Sequence, residues 1–74
     1  MTLAQRLAAE IHAARKSAGL TQEDLAEKAR VHRTYISQLE RGLKSPTVDV
    51  LARIASALGT TPASLLTGAE KVPT

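Results

Sequence analysis

The chain contains no cysteine, tryptophan or phenylalanine, and Tyr35 is its only aromatic residue. Without cysteine there is no disulfide framework and no thiolate metal site. The two histidines, His12 and His32, fall on different predicted elements with no ligand cluster around them, so no metal is expected. With one aromatic, the core must be aliphatic. No apolar run approaches the roughly 20 residues of a membrane-spanning helix. The start, MTLAQRLAAEI, is amphipathic and carries Glu10, unlike a signal or transit peptide, so a cytoplasmic location is the expectation. Paired catalytic carboxylates and a glycine-rich phosphate loop are also missing, which argues against an enzyme, and no cofactor or small-molecule ligand is expected.

What is present is enough for one small domain. The 74 residues are rich in alanine, and their β-branched residues are scattered, which favours helices. The net charge is +3, but it is unevenly placed. From Lys28 to Lys44 the chain carries Lys28, Arg30, Arg33, Arg41 and Lys44 against Glu40, while the remainder is close to neutral. Such a patch is the electrostatic footprint of phosphate binding, unless it is only a solvated charged face.

Five helices can be read off in order. Thr2 caps a first helix whose stripe is Leu3, Leu7, Ile11, Ala14 and Ala18, ended by Gly19. Arg6 and Glu10, four apart on it, can pair weakly. Thr21 caps a second helix, about Gln22 to Lys28, with Asp24 at the capping-box position. A turn over Ala29-Arg30-Val31-His32 follows. Val31 plugs the core, and Arg30 stands where a left-handed backbone is needed, at a cost of roughly 1 kcal/mol relative to glycine. The third helix runs from Arg33 to Arg41 with His32 at its cap and Gly42 as its stop. After the loop Gly42–Pro46, a fourth helix follows. Pro46 suits its start, Thr47 can cap it, and its stripe is Val48, Leu51, Ile54, Ala55 and Leu58. Thr61 and Pro62 open a fifth, with Leu65 and Leu66 as its buried pair and Gly68 as its end. Residues 1–68 then form the domain, and 69–74 a tail without periodicity.

Two short helices joined by a tight turn are a helix-turn-helix. On the second of them Arg33, Thr34, Ser37, Gln38 and Arg41 face outward, all hydrogen-bond donors and none acidic. Arg offers a bidentate pair to guanine, and Gln does the same to adenine. Gln22, at the first position of helix two, lies beside free backbone N–H groups, a suitable place for a phosphate or simply an exposed amide. Arg30 and His32 are further phosphate candidates, although His32 equally suits an ordinary helix flank. The Tyr35 hydroxyl could reach a phosphate, or its ring could pack on helix two.

The stretch LTQEDLAEKARVHRTYISQLERGLKSPTVDVLARIASALGTTPASLL resembles the phage-repressor-like, Xre-type helix-turn-helix regulators. The likeness rests on the LTQ and LA start, the YIS and LERG of helix three, the SP-T-L-IA-AL spacing of helix four and the P-LL close. The segment VHRTYIS-LERG is also similar to the controller proteins of restriction–modification systems. The resemblance implies an all-α, five-helix, lambda-repressor-like domain that binds double-stranded DNA as a homodimer and reads a pseudo-palindromic operator. It implies base contacts from Arg33, Thr34, Ser37 and Gln38, and phosphate contacts from Gln22, Arg41 and Lys44. It also implies an ion pair between Arg15 and Glu40. Arg30 in place of the common glycine, and His32 in place of the common Ser or Thr, depart from the pattern. An antitoxin that binds a toxin and autoregulates its operon would share the fold. The dimer surface is sought between Ser56 and Thr74, with Leu65, Leu66 and Val72 as apolar candidates, unless both leucines serve only the monomer core.

Overall fold

Four threonines open four of the five helices. In the computed structural model, which describes residues 1–71, these helices are α1 (Leu3–Ser17), α2 (Gln22–Ala29), α3 (Arg33–Glu40), α4 (Val48–Ala57) and α5 (Pro62–Glu70). Thr2 Oγ1 accepts from the Gln5 N–H at 3.1 Å, and Gln5 Oε1 accepts the Thr2 N–H at 2.9 Å. Thr21 and Asp24 form the same reciprocal box, both bonds at 3.0 Å. Those bonds from Thr21 hold the exposed Asp24 carboxyl below its ordinary pKa. Thr47 and Thr61 each accept one N–H, from Val50 and Ser64. Each box or cap satisfies donors that the first turn leaves free. Only α3 begins without one: His32 makes no capping bond from its side chain.

α1 packs against α5 and α3, α2 against α3 and α4, and α4 against α5. The core they enclose is aliphatic, as the composition requires. Ile11, Leu25, Ile36, Leu39 and Ile54 are its largest fully buried side chains. Burying each contributes about 1.5–3 kcal/mol. Val31 and the ring of Tyr35 pack on the edge of this cluster. The α2–α3 turn is closed by Val31 N–H to Ala26 O at 2.9 Å and Arg30 N–H to Glu27 O at 3.2 Å. Arg30 is left-handed, at φ 60° and ψ 47°.

Several expectations need correction. α2 extends one residue further than Lys28, through the buried Ala29, and α3 ends at Glu40 with Arg41 as its cap. Leu3 is 42% exposed and Val48 82% exposed, so neither belongs to the core. Both stand at the first residue of a helix, where no preceding turn brings a neighbour over them. The buried face of α1 is turned toward Ala8 and Arg15, and Ala18 is exposed. Arg6 and Glu10 do not form an ion pair among the described residues; Arg6 Nη1 instead lies 3.5 Å from the Met1 carbonyl. Gly68 does not end α5, which continues to Glu70 and buries Ala69. A Cβ at Gly68 would lie 2.5 Å from a Glu10 carboxylate oxygen, so the glycine makes room for that side chain. Leu65 is buried in the monomer core, and Leu66 is half-buried against it. Val72, and with it the end of the expected tail, lies outside the described residues.

The left-handed backbone at Arg30 is the one positive φ at a non-glycine residue among those described. Arg30→Gly should therefore relieve about 1 kcal/mol and raise Tm by about 4–8 °C. An unchanged or lowered Tm in a thermal melt would contradict strain at this position.

Candidate nucleic-acid interface

The interface is built around a carboxylate that does not face it. Glu40 closes α3, and its side chain is only 3% exposed. Arg15 of α1, also buried, donates from Nε to Glu40 Oε2 at 2.7 Å and from Nη2 to Oε1 at 3.0 Å. This is the ion pair that the family resemblance implied. Two further donors complete the carboxylate. His12 Nδ1 lies 2.8 Å from Oε1, and Gln22 Nε2 lies 3.2 Å from the same oxygen. Nδ1 also lies 3.3 Å from Arg15 Nη2, itself only a donor, and the contact to Oε1 is a hydrogen bond in the tautomer that carries the proton on Nδ1. The third arm of Arg15, Nη1, donates to the Leu20 carbonyl at 2.8 Å, one residue ahead of the Thr21 cap. One cluster therefore joins α1, the entry to α2 and the end of α3.

The electrostatics follow from this packing. Burial alone would raise the Glu40 pKa. Hydrogen bonds from Arg15, His12 and Gln22, with the attraction of the Arg15 charge, outweigh it and leave the carboxyl below its ordinary value. The bond to Glu40 likewise raises the Arg15 pKa, so the pair is ionised. The one acid of the basic window is thus turned inward and neutralised from beneath. Outside remain the exposed Arg30, His32, Arg33, Thr34, Arg41 and Lys44, with Ser37 and Gln38 half-exposed. Positions 33, 34, 37 and 38 share one face of α3 by helical spacing. The exposed acids Glu23, Asp24 and Glu27 all belong to α2.

Two open recesses flank that face. One, of about 490 Å³, is lined by Arg15, Lys16, Gly19, Leu20, Thr21, Gln22, Glu23 and Arg33. It brings together Gln22 and Arg33, two of the residues singled out from the sequence. It also adds Lys16 of α1. The other, of about 300 Å³, places Arg41 and Gly42 beside Gln5 and Ala9 of α1. Gly42 has φ 74°, and a Cβ there would lie 3.1 Å from Gln5 Cγ, so both the turn and the close approach select glycine. His12 was also missed as part of the cluster. The available signal was its place three residues before Arg15, on the same side of α1.

A helix-turn-helix with its acid buried and its donors outward is the architecture of a DNA-binding regulator. The helix-turn-helix family pattern matches residues 11–65, and the chain belongs to that family. It is 39% identical over 59 residues to the HTH-type transcriptional regulator y4dJ of Sinorhizobium fredii, covering 80% of this chain and 77% of that one. Other curated relatives are longer, and the chain spans 34% of the length of two of them. Among solved structures it is similar to the clp gene regulator ClgR from Corynebacterium glutamicum. The TM-score is 0.90 and the identity 38%, over 93% of this chain and 73% of that one. It is also similar to the restriction-modification controller protein C.AhdI from Aeromonas hydrophila. There the TM-score is 0.80 and the identity 28%, over 82% of this chain and 92% of that one. The all-α, Xre-type resemblance drawn from the sequence therefore holds.

A depressed carboxyl contributes stability that is fully present above its unfolded pKa and is lost as pH falls through the folded one. Wild-type Tm should accordingly decline below about pH 4.5. Glu40→Gln should start from a lower Tm at neutral pH and decline less steeply in acid. Parallel Tm-against-pH curves for the two proteins would contradict the assignment.

Proposed function

We propose that this chain is a sequence-specific transcriptional regulator that binds double-stranded DNA as a homodimer on a pseudo-palindromic operator. In this reading α3 enters the major groove, and Arg33, Thr34, Ser37 and Gln38 meet base edges. Gln22, Arg30, His32, Tyr35, Arg41 and Lys44 meet phosphates on either side. The observation that carries it is the outward face of α3, whose side chains can all donate and none of which is acidic, because Glu40 is withdrawn into the Arg15 pair. DNA offers acceptors at phosphates and at purine edges, and a surface carboxylate there would be repelled.

Dimerisation follows from the size of the reader. One short helix contacts only a few base pairs, and two held about 34 Å apart supply useful specificity. With Leu65 in the monomer core, the second copy has to dock on other apolar area than that side chain.

Selection of bound duplexes from a random pool, followed by a salt titration, tests the proposal. The wild type should enrich a two-fold symmetric site. Arg33→Ala should relax one position of each half-site and weaken binding by about 1–3 kcal/mol. Lys44→Ala should weaken all sequences alike and reduce the salt slope by about one. Equal binding of every sequence by the wild type would overturn the regulator reading.

A further inference from the structure

Gln22 occupies two roles at once. As the first residue of α2 it stands beside free backbone N–H groups and lines the recess shared with Lys16, Thr21 and Arg33. Yet its amide is already engaged, with Nε2 3.2 Å from Glu40 Oε1. A glutamine amide has two faces, and a flip would exchange an N–H donor for a carbonyl acceptor. Glu40 removes that ambiguity. It can only accept, so the NH₂ end must face it and the carbonyl end must turn away. One N–H is then used, and the second has no partner among the described residues.

Glu40 can act in this way because it is itself immobile. Arg15 holds both of its oxygens, His12 holds one, and Arg15 is anchored in turn on the Leu20 carbonyl. The side chain is 3% exposed, so it does not compete for solvent partners. Its charge is compensated by Arg15 and therefore does not repel an anion in the recess. On the rim, Lys16 and Arg33 favour an anion and Glu23 opposes it.

We propose that Glu40 is a positioning residue for the contact with the DNA backbone. It fixes the Gln22 amide so that its remaining N–H meets a phosphate at the N-terminus of α2. The inference rests on the DNA-binding reading above and adds to it a residue that never touches DNA. It differs from a purely structural role for the ion pair, because its effect on binding runs through one named side chain.

A double-mutant cycle on DNA affinity separates the two. Wild type, Gln22→Ala, Glu40→Gln and the double variant are titrated by fluorescence anisotropy against the site that wild type selects. The temperature is one at which circular dichroism shows each variant folded. Gln22→Ala should weaken binding about tenfold, the loss of one hydrogen bond to a charged group. Glu40→Gln should weaken it severalfold, and should have no further effect once Gln22 is alanine. An equal loss in both backgrounds, or no loss in either, overturns the proposal. If Glu40→Gln does not fold, NMR relaxation of the wild-type Gln22 side-chain amide decides. An amide as rigid as the helix backbone, with one orientation free and bound, supports the proposal, and a freely reorienting one refutes it. A wild type that binds no DNA fails the functional reading itself, whereas binding with an additive cycle fails only this inference.

Discussion

The Glu40 carboxylate is the constraint on which the arrangement of this domain depends. A buried charge is tolerable only when its oxygens are filled, and here Arg15, His12 and Gln22 fill them from α1 and α2. The same Arg15 reaches the Leu20 carbonyl in the α1–α2 loop. A non-directional core of Ile11, Leu25, Ile36, Leu39 and Ile54 supplies most of the driving force, but it fixes orientation weakly. The ion pair and its hydrogen bonds add direction. They set the end of α3 against α1 and the entry of α2, and so set how α3 stands out from the body.

That interior arrangement explains the exterior. α3 has eight residues and must bury Ile36 and Leu39 on one side while presenting donors on the other. An acid at its end would ordinarily spoil a phosphate-facing surface. Drawn inward, Glu40 leaves no exposed acid on α3 beside Arg33, Arg41 and Lys44. The less favourable local choices lie close by. Arg30 accepts a left-handed backbone, and His32 starts α3 without a side-chain cap. Both place a cationic or titratable side chain beside the reading face, where a glycine or serine would place none.

Local features were legible in the sequence because their physics is local. A threonine cap and its partner three residues on lie within one turn, and Thr2, Thr21, Thr47 and Thr61 all behave as read. The same holds for the left-handed Arg30. Reading failed where the decision lies with a distant neighbour. Val48 and Leu3 fit their stripes but lack a covering element. Gly68 looked like a stop, yet α5 runs on to Glu70, and the Glu10 carboxylate of α1 occupies the space that a side chain at 68 would take. At the site, the Arg15–Glu40 pair came from the family resemblance, since nothing in residues 25 apart announces it. The capture of Gln22 by the same carboxylate, across 18 residues, carried no signal in composition or periodicity, and that of His12, across 28, carried only its place three residues before Arg15.

The claim that this pair organises the domain is most directly tested by its coupling energy in unfolding. Arg15→Met, Glu40→Met and the double variant are compared with wild type by urea denaturation at neutral pH. Each single change should destabilise by about 3 kcal/mol or more, because it strands a buried charge. The double change should cost far less than the two added, a coupling of at least about 2 kcal/mol. Additive losses, within about 0.5 kcal/mol, would contradict the account.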